Sequence, residues 1–230
     1  MISLILPVCN EEGNLPGNLK RIVRELMRLG QGYEVIIAED GSTDGTYPIA
    51  RNLSRRYDNV RVSHSGRRLG KGLAIKRALP LTRGDRIAYM DIDLSTDVTR
   101  LGDMFRYLDR YDIVIGSRLI RRDMARRSMM RYLFSVSYNL IIRILFRSGI
   151  RDHQCGFKAF RRDVILGLAG QARNDRWFFD TEILVMAKKA GFRIKELPVR
   201  WSESKESKIR INRIVFQMLS DIAGFLLRQG

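Results

Sequence analysis

Short β-branched runs alternate with segments of helical spacing along this chain, and that alternation restricts its fold more than any other feature. Ile2 to Leu6, Tyr33 to Glu39, Val60 to His64, Arg86 to Asp91 and Asp112 to Gly116 read as strands. Between them Leu15 to Leu29, Thr43 to Tyr57, Gly72 to Leu79 and Leu101 to Leu108 read as helices. Strands that take turns with helices pair in parallel, because each helical crossover returns the chain to the same end of the sheet. The expected fold class is α/β: a Rossmann-like, mostly parallel sheet flanked by helices. At 230 residues, with evenly spread apolar runs and no linker, the chain reads as a single domain.

Ligands of such sheets collect beyond the carboxyl ends of the strands, so those loops carry the chemistry. In chain order they read PVCNEEGN, EDGSTDGT, SGRRLGKG, DIDLSTD and GSRLIRR. Acidic and basic loops thus share one sheet edge, which suits a metal-bound nucleotide diphosphate better than bare phosphate. GRRLGKG is not a P-loop: three residues separate Gly66 from Gly70 where a P-loop has four, and Gly72 replaces the Ser or Thr that holds magnesium. The first loop lacks G-x-G-x-x-G, which argues against a dehydrogenase. Lys71, between two glycines, is either an anion contact or part of a plain helix-entry loop.

The two aspartates of DIDLSTD have the clearest chemical logic. In an extended segment residues i and i+2 project to one side, so Asp91 and Asp93 converge on a hard divalent cation, with water and diphosphate oxygens filling its other sites. A lone D-x-D is more often a pair of surface acids. Here Glu11 and Asp40 in neighbouring loops favour the ligand reading. In DGSTDG, Ser42 or Thr43 reads as a helix N-cap, which leaves Asp40 to accept hydrogen bonds from a base or ribose.

The chain carries 42 Lys and Arg against 25 Asp and Glu, a net charge of +17, which favours anionic partners. Arg118, Arg121, Arg122, Arg126, Arg127 and Arg131 crowd the segment after the fifth strand, and Arg grips phosphate bidentately. The aromatics beside them (Tyr132, Phe134, Tyr138) sit inside an apolar run, so a lipid phosphate explains the combination better than nucleic acid does. Arg131, Ser135 and Asn139 form one polar stripe on that helix; a buried, self-satisfied stripe is the structural alternative. Asp180 and Glu182 lie in the first turn of a helix within Arg176 to Gly191, where the helix dipole alone accounts for acids.

No stretch reaches about 18 consecutive apolar residues, so no membrane span is expected. Met129 to Phe146 and Ile211 to Leu227 are apolar but broken by Arg131, Arg143, Gln217 and Asp221. Each is either a cationic helix lying in a bilayer interface or an amphipathic core helix. Cys9 and Cys155 have no partners at metal-ligand spacing, so neither a zinc site nor a disulfide framework is indicated. The amino-terminal apolar run is short and lacks a basic flank, reading as a strand rather than a signal peptide.

In this order PVCNEEGN, EDGSTDGT, LGKGLAI, DIDLS, GSR, the Arg131 to Asn139 stripe, CGFKAF, RWFFDTE and ELPVRW, followed by Ser207 and Lys208, resemble family-2 glycosyltransferases of GT-A fold, of the dolichyl-phosphate (polyprenyl-phosphate) mannose synthase and glucosyltransferase type. The resemblance implies a metal-dependent, inverting hexosyltransferase from a UDP-glucose or GDP-mannose type donor to dolichyl or polyprenyl phosphate. It makes residues 1–117 the nucleotide-sugar half and 118–230 the acceptor half with membrane-interface helices. Pro7, Asn10, Glu11, Asp40, Lys71 and Asp91 are then the donor contacts, and Asp91 and Asp93 the ligands of Mg or Mn. Arg118, Arg131, Ser135, Asp180, Glu182 and Lys208 are the acceptor contacts, with Asp91, Asp93, Arg118 and Arg131 forming the catalytic set. It also implies a peripheral protein on the cytoplasmic membrane face, with no nucleic acid partner. Cys9 stands where the family usually has Tyr, and Ser95 where mannose synthases often have Gln. RW before FDTE, and Trp201 before the final SK, look more like the glucosyltransferase branch. The alternatives are a nucleotidyltransferase, a transferase with another acceptor, and an RNA-associated basic α/β protein.

Overall fold

The computed structural model describes residues 1–121, 125–126, 129–202 and 220–227, the side chains of 125, 126 and 131 excepted. Its centre is strand β1 (Ile2–Val8), buried along nearly its whole length as a strand covered on both faces must be. Parallel to it lie β2 (Tyr33–Asp40) on one side and β4 (Arg86–Tyr89) on the other. β3 (Val60–Ser65) extends the sheet beyond β2. Then β7 (Lys158–Arg161) enters antiparallel between β4 and β5 (Ile113–Ser117), and β8 (Ile194–Pro198) closes the far edge parallel to β5. The order is β3-β2-β1-β4-β7-β5-β8, mostly parallel as expected. A separate two-stranded pair joins β6 (Ala125–Arg126) to β9 (Trp201–Ser202).

Alternate residues of each strand feed different layers. Leu4, Leu6, Val35, Ile37 and Ala88 pack beneath α1 (Leu15–Arg28), α2 (Thr46–Arg56) and α4 (Leu101–Tyr107). Ile5, Ile36, Ile87 and Ile113 pack beneath α3 (Lys71–Ala78), α6 (Arg162–Gln171) and α7 (Phe179–Lys189). In α1 the buried Leu15, Leu19, Ile22, Val23 and Leu26 repeat at helical spacing, and a proline in its first turn presets the entry dihedral.

Two local expectations are revised. α2 starts at Thr46 rather than Thr43: Asp44 Oδ1 accepts the Thr46 N–H (3.0 Å) and hydroxyl (2.6 Å), while Ser42 and Thr43 bond Asn10 instead. β4 ends at Tyr89 and the chain turns at Ile92 and Asp93, so Asp91 and Asp93 do not share the strand end expected for them.

Helix α5 spans Met129–Phe146, the run singled out in the sequence. Its Tyr138, Ile142 and Phe146 pack with Phe178, Val185, Ile222 and Phe225 from α7 and the helix at 220–227. Met129, Met130, Leu133, Phe134, Leu140, Ile141, Ile144 and Leu145 are exposed. One face therefore belongs to the core and the other does not. Among the described residues no helix is long and apolar enough to cross a membrane.

Candidate active site

The strand order reverses between β1 and β4, and in open α/β sheets the crevice opens where the loops diverge at such a point. A cleft of about 650 Å³ lies there. Pro7, Cys9 and Glu11 line it from the first loop, Asp40 from the second, Arg68 to Lys71 from the third, Asp91 and Asp93 from the fourth. Arg176 and Trp177, just ahead of α7, complete the wall. Of the expected donor residues, the cleft thus gathers Pro7, Glu11, Asp40, Lys71 and Asp91.

Asn10 has another task. Its backbone takes φ of 58°, which Asn tolerates, and its Oδ1 accepts the Thr43 N–H at 2.8 Å, tying the first loop to the second. Asp40 is buried, and its two oxygens accept the backbone N–H groups of Leu69 (2.7 Å) and Gly70 (2.8 Å). It therefore holds the loop that presents Lys71. The glycines beside Lys71 permit close packing: a Cβ on Gly70, at φ of 114°, would meet the Asp175 carbonyl oxygen at 2.5 Å, and one on Gly72 the Phe179 Cβ at 2.7 Å.

That packing carries Lys71 into a buried ion network. Its Nζ lies 2.8 Å from Asp91 Oδ1 and 3.3 Å from Asp180 Oδ2. Asp180 Oδ1 accepts the fully buried Lys158 Nζ at 2.6 Å and the Tyr89 hydroxyl at 2.7 Å. Burial alone would lower the Lys71 pKa, but Asp180 and Asp91 more than offset it and hold the ammonium charged well above its usual range. Burial likewise opposes ionisation of Asp180, and Lys158 with Lys71 overcomes it, leaving the carboxyl below its ordinary value. Asp180 is thus neither a helix-dipole ornament nor part of the cleft wall. Glu182 is also buried, with Oε2 accepting the Asn174 N–H at 2.7 Å.

Asp91 and Asp93 both line the cleft. Gly156 closes on Asp91, since a Cβ there would come within 1.9 Å of Oδ2. Ser95 orients Asp93, its N–H reaching Oδ1 at 2.9 Å and its hydroxyl Oδ2 at 2.6 Å. Among the described residues no group of three or more acids, Cys or His is placed to hold a metal, so Asp91 and Asp93 would offer a two-carboxylate, hard-oxygen donor set that suits Mg or Mn once diphosphate oxygens and water complete it. The exposed Arg68 and Arg176 add positive charge to the same wall.

Arg118 does not line this cleft. Its Nε and Nη2 grip Asp152 Oδ2 and Oδ1, each at 2.8 Å, and its backbone N–H adds a third bond. Burial would raise the Asp152 pKa, but Arg118 drives it down to about 2. Ser135 contributes its carbonyl to Asn139 Nδ2 at 2.8 Å, and the buried Asn139 Oδ1 accepts the His153 N–H at 2.8 Å. Part of the polar stripe is therefore self-satisfied. Arg131 lies on α5 with its side chain outside the described residues, and Lys208 lies outside them entirely.

Sequence reasoning missed Lys158, Trp177 and Gly156. Lys158 had a readable signal, a lysine inside the apolar run CGFKAF. A buried lysine implies a buried acid, but nothing in the sequence says which.

The model of glycosyl transferase family 2 matches residues 3–167. The chain is 39% identical over 225 residues to glycosyltransferase AglD of Haloferax volcanii, covering 96% of this chain and 36% of that one. It is 33% identical over 236 residues to dolichyl-phosphate beta-glucosyltransferase ALG5A of Trichomonas vaginalis, covering 96% and 71%. To the Homo sapiens dolichyl-phosphate beta-glucosyltransferase it is 33% identical over 224 residues, covering 90% and 69%. The chain thus spans little more than a third of AglD and about seven-tenths of the glucosyltransferases. Its fold matches the crystal structure of glucosyl-3-phosphoglycerate synthase from Mycobacterium tuberculosis in complex with Mn2+, UDP and glucosyl-3-phosphoglycerate, with a TM-score of 0.72 at 19% identity over 99% of this chain and 79% of that one. The family match over most of the chain, with relatives a third identical along nearly all of it, establishes that this protein belongs to glycosyl transferase family 2 and is a glycosyltransferase of GT-A fold.

Proposed function

We propose that the protein moves a hexose, glucose first among the candidates, from a nucleoside diphosphate sugar to a polyprenyl phosphate of the dolichyl type, with inversion at the anomeric carbon. The observation that carries this reading is the cleft in which Asp91 and Asp93 meet the cations of Arg68, Lys71 and Arg176. Acids alone would suit a cation, and cations alone a phosphate. Together they suit a diphosphate delivered with a metal. Relatives named as dolichyl-phosphate beta-glucosyltransferases support glucose and a lipid phosphate acceptor.

Asp91 and Asp93 are the residues that would hold Mg or Mn, whose chemistry when bound is to neutralise the departing diphosphate. Ser95 holds Asp93 through two hydrogen bonds and the backbone at Gly156 packs against Asp91, which orients both carboxylates towards the cleft beforehand. The acceptor phosphate, with a second pKa of about 6, arrives largely as a dianion and attacks without a protein base. Catalysis then reduces to alignment. Trp177, exposed on the cleft wall, offers a flat face for a sugar ring.

The exposed apolar face of α5, with Arg143 and Arg147 exposed at its end, fits a bilayer interface holding the acceptor lipid. A peripheral membrane location follows from that reading, while the +17 charge favours anionic headgroups. One assay tests the proposal. Vesicles carrying a short polyprenyl phosphate are incubated with the protein, Mn and a panel of labelled UDP- and GDP-sugars. Label is expected in the organic phase with UDP-glucose, and the protein is expected to sediment with the vesicles. Label that stays water-soluble for every donor would overturn the acceptor assignment.

A further inference from the structure

Lys71 is paired with the carboxylate that a divalent cation in this cleft would need, Asp91. The ammonium is 2.8 Å from Asp91 Oδ1, so a metal ligated by that carboxylate would stand within a few ångströms of a positive charge. Two cations that close repel strongly in a partly buried site, where solvent screens them poorly. Lys71 is also not a freely swinging surface lysine: its side chain is 8% exposed, against 43% for Asp91. It has somewhere else to rest. Asp180 Oδ2 lies 3.3 Å from Nζ, and Asp180 is itself held by Lys158 and Tyr89 through its other oxygen. The rings of Trp177 and Tyr89 stand 5.3 and 5.9 Å from Nζ, so the ammonium stays in favourable surroundings when its bond to Asp91 is lost.

We infer that Lys71 is a built-in competitor for the metal: it occupies Asp91 in the empty enzyme and yields that carboxylate only when a metal arrives together with a diphosphate. This rests on the reading of Asp91 and Asp93 as metal ligands and goes beyond it, because it assigns an order to binding. A metal alone adds positive charge beside the ammonium. A metal with a nucleoside diphosphate brings anionic oxygens, to which the displaced ammonium can turn while Asp180 keeps its other side paired. Metal and nucleotide affinities are therefore coupled, each raising the other by the same factor. The coupling keeps the enzyme from holding metal without a donor.

The test measures Mn2+ affinity from the electron paramagnetic resonance signal of free Mn2+, in the wild-type protein, Lys71→Met, Lys71→Gln and Asp93→Asn. Each is titrated alone and with UDP, and a parallel series uses GDP. In the wild type, Mn2+ is expected to bind on the order of tenfold or more tighter with the nucleotide than without it. In both Lys71 variants, Mn2+ alone should bind on the order of tenfold tighter than in the wild type, and the nucleotide's enhancement should shrink. Equal affinity with and without nucleotide in the wild type would overturn the inference, and that arm needs no variant. Native-like variants in which Mn2+ alone binds no tighter than in the wild type would overturn it as well. If Asp93→Asn retains full affinity for Mn2+ with nucleotide, the metal-site reading itself fails. If Asp93→Asn loses that affinity while the Lys71 variants gain none, only the competitor role fails.

Discussion

His153 shows how much one buried side chain can reveal about the chain around it. It is fully buried, with Nδ1 2.7 Å from Asn139 Oδ1 and Nε2 2.9 Å from the Ser148 hydroxyl, so it ties α5 to the loop that carries Asp152. Burial drives its pKa from 6.5 down to about 4, with Lys158 and Arg143 opposing protonation further and Asp152 partly offsetting them. The sign follows from linkage: between pH 6.5 and 4 the unfolded chain binds a proton that the folded one refuses, so stability falls as pH drops through that window. The contribution is roughly 2 kcal/mol at pH 5 relative to pH 8. Denaturant unfolding at the two pH values should give a larger loss for the wild type than for His153→Gln, whose baseline stability is lower but whose pH slope is flatter. Parallel slopes would mean that His153 takes up its proton as readily in the folded chain as in the unfolded one. None of this was legible in DHQC, where the histidine has no periodic neighbours to declare it buried.

At the scale of elements, the five parallel strands of the first half were readable because each is a short aliphatic run bounded by turn residues. β7 and β8 were not, and the reason is physical. β7 carries Lys158 in its middle and pairs antiparallel between β4 and β5, a placement fixed by long-range pairing and by the Asp180 carboxylate rather than by local pattern. The acid pair was legible as a motif, although the geometry expected for it, an extended strand end, is replaced by a turn clamped between Ser95 and Gly156. That replacement makes Gly156 a sensitive point. Gly156→Ala would press a methyl group against Asp91 Oδ2, so the carboxylate would have to turn away from its present position beside Lys71. The expected outcome is a loss of transfer of about a hundredfold or more, with weakened Mn-dependent nucleotide binding. A variant with wild-type kcat and nucleotide affinity would show that Asp91 is free to move without cost.

For the whole molecule, the sheet places the cleft at the carboxyl ends of its strands. The loops after β1 to β4 line it, and α5 lies alongside α7, whose preceding residues Arg176 and Trp177 wall it. Helix α5 is apolar nearly all round because its two sides answer to different environments: Tyr138, Ile142 and Phe146 to the core, and the exposed Leu133, Phe134 and Ile144 to whatever covers that face. Composition announced the apolar helix, but only packing could divide its faces. In the proposed reaction the paired aspartates hold a divalent cation against the donor diphosphate. Transfer to polyprenyl phosphate measured with Mn, with EDTA and in Asp93→Asn tests it most directly. Product is expected with Mn for the wild type, none with EDTA, and a loss on the order of a thousandfold or more for the variant. Undiminished transfer in EDTA, or by Asp93→Asn, would contradict it.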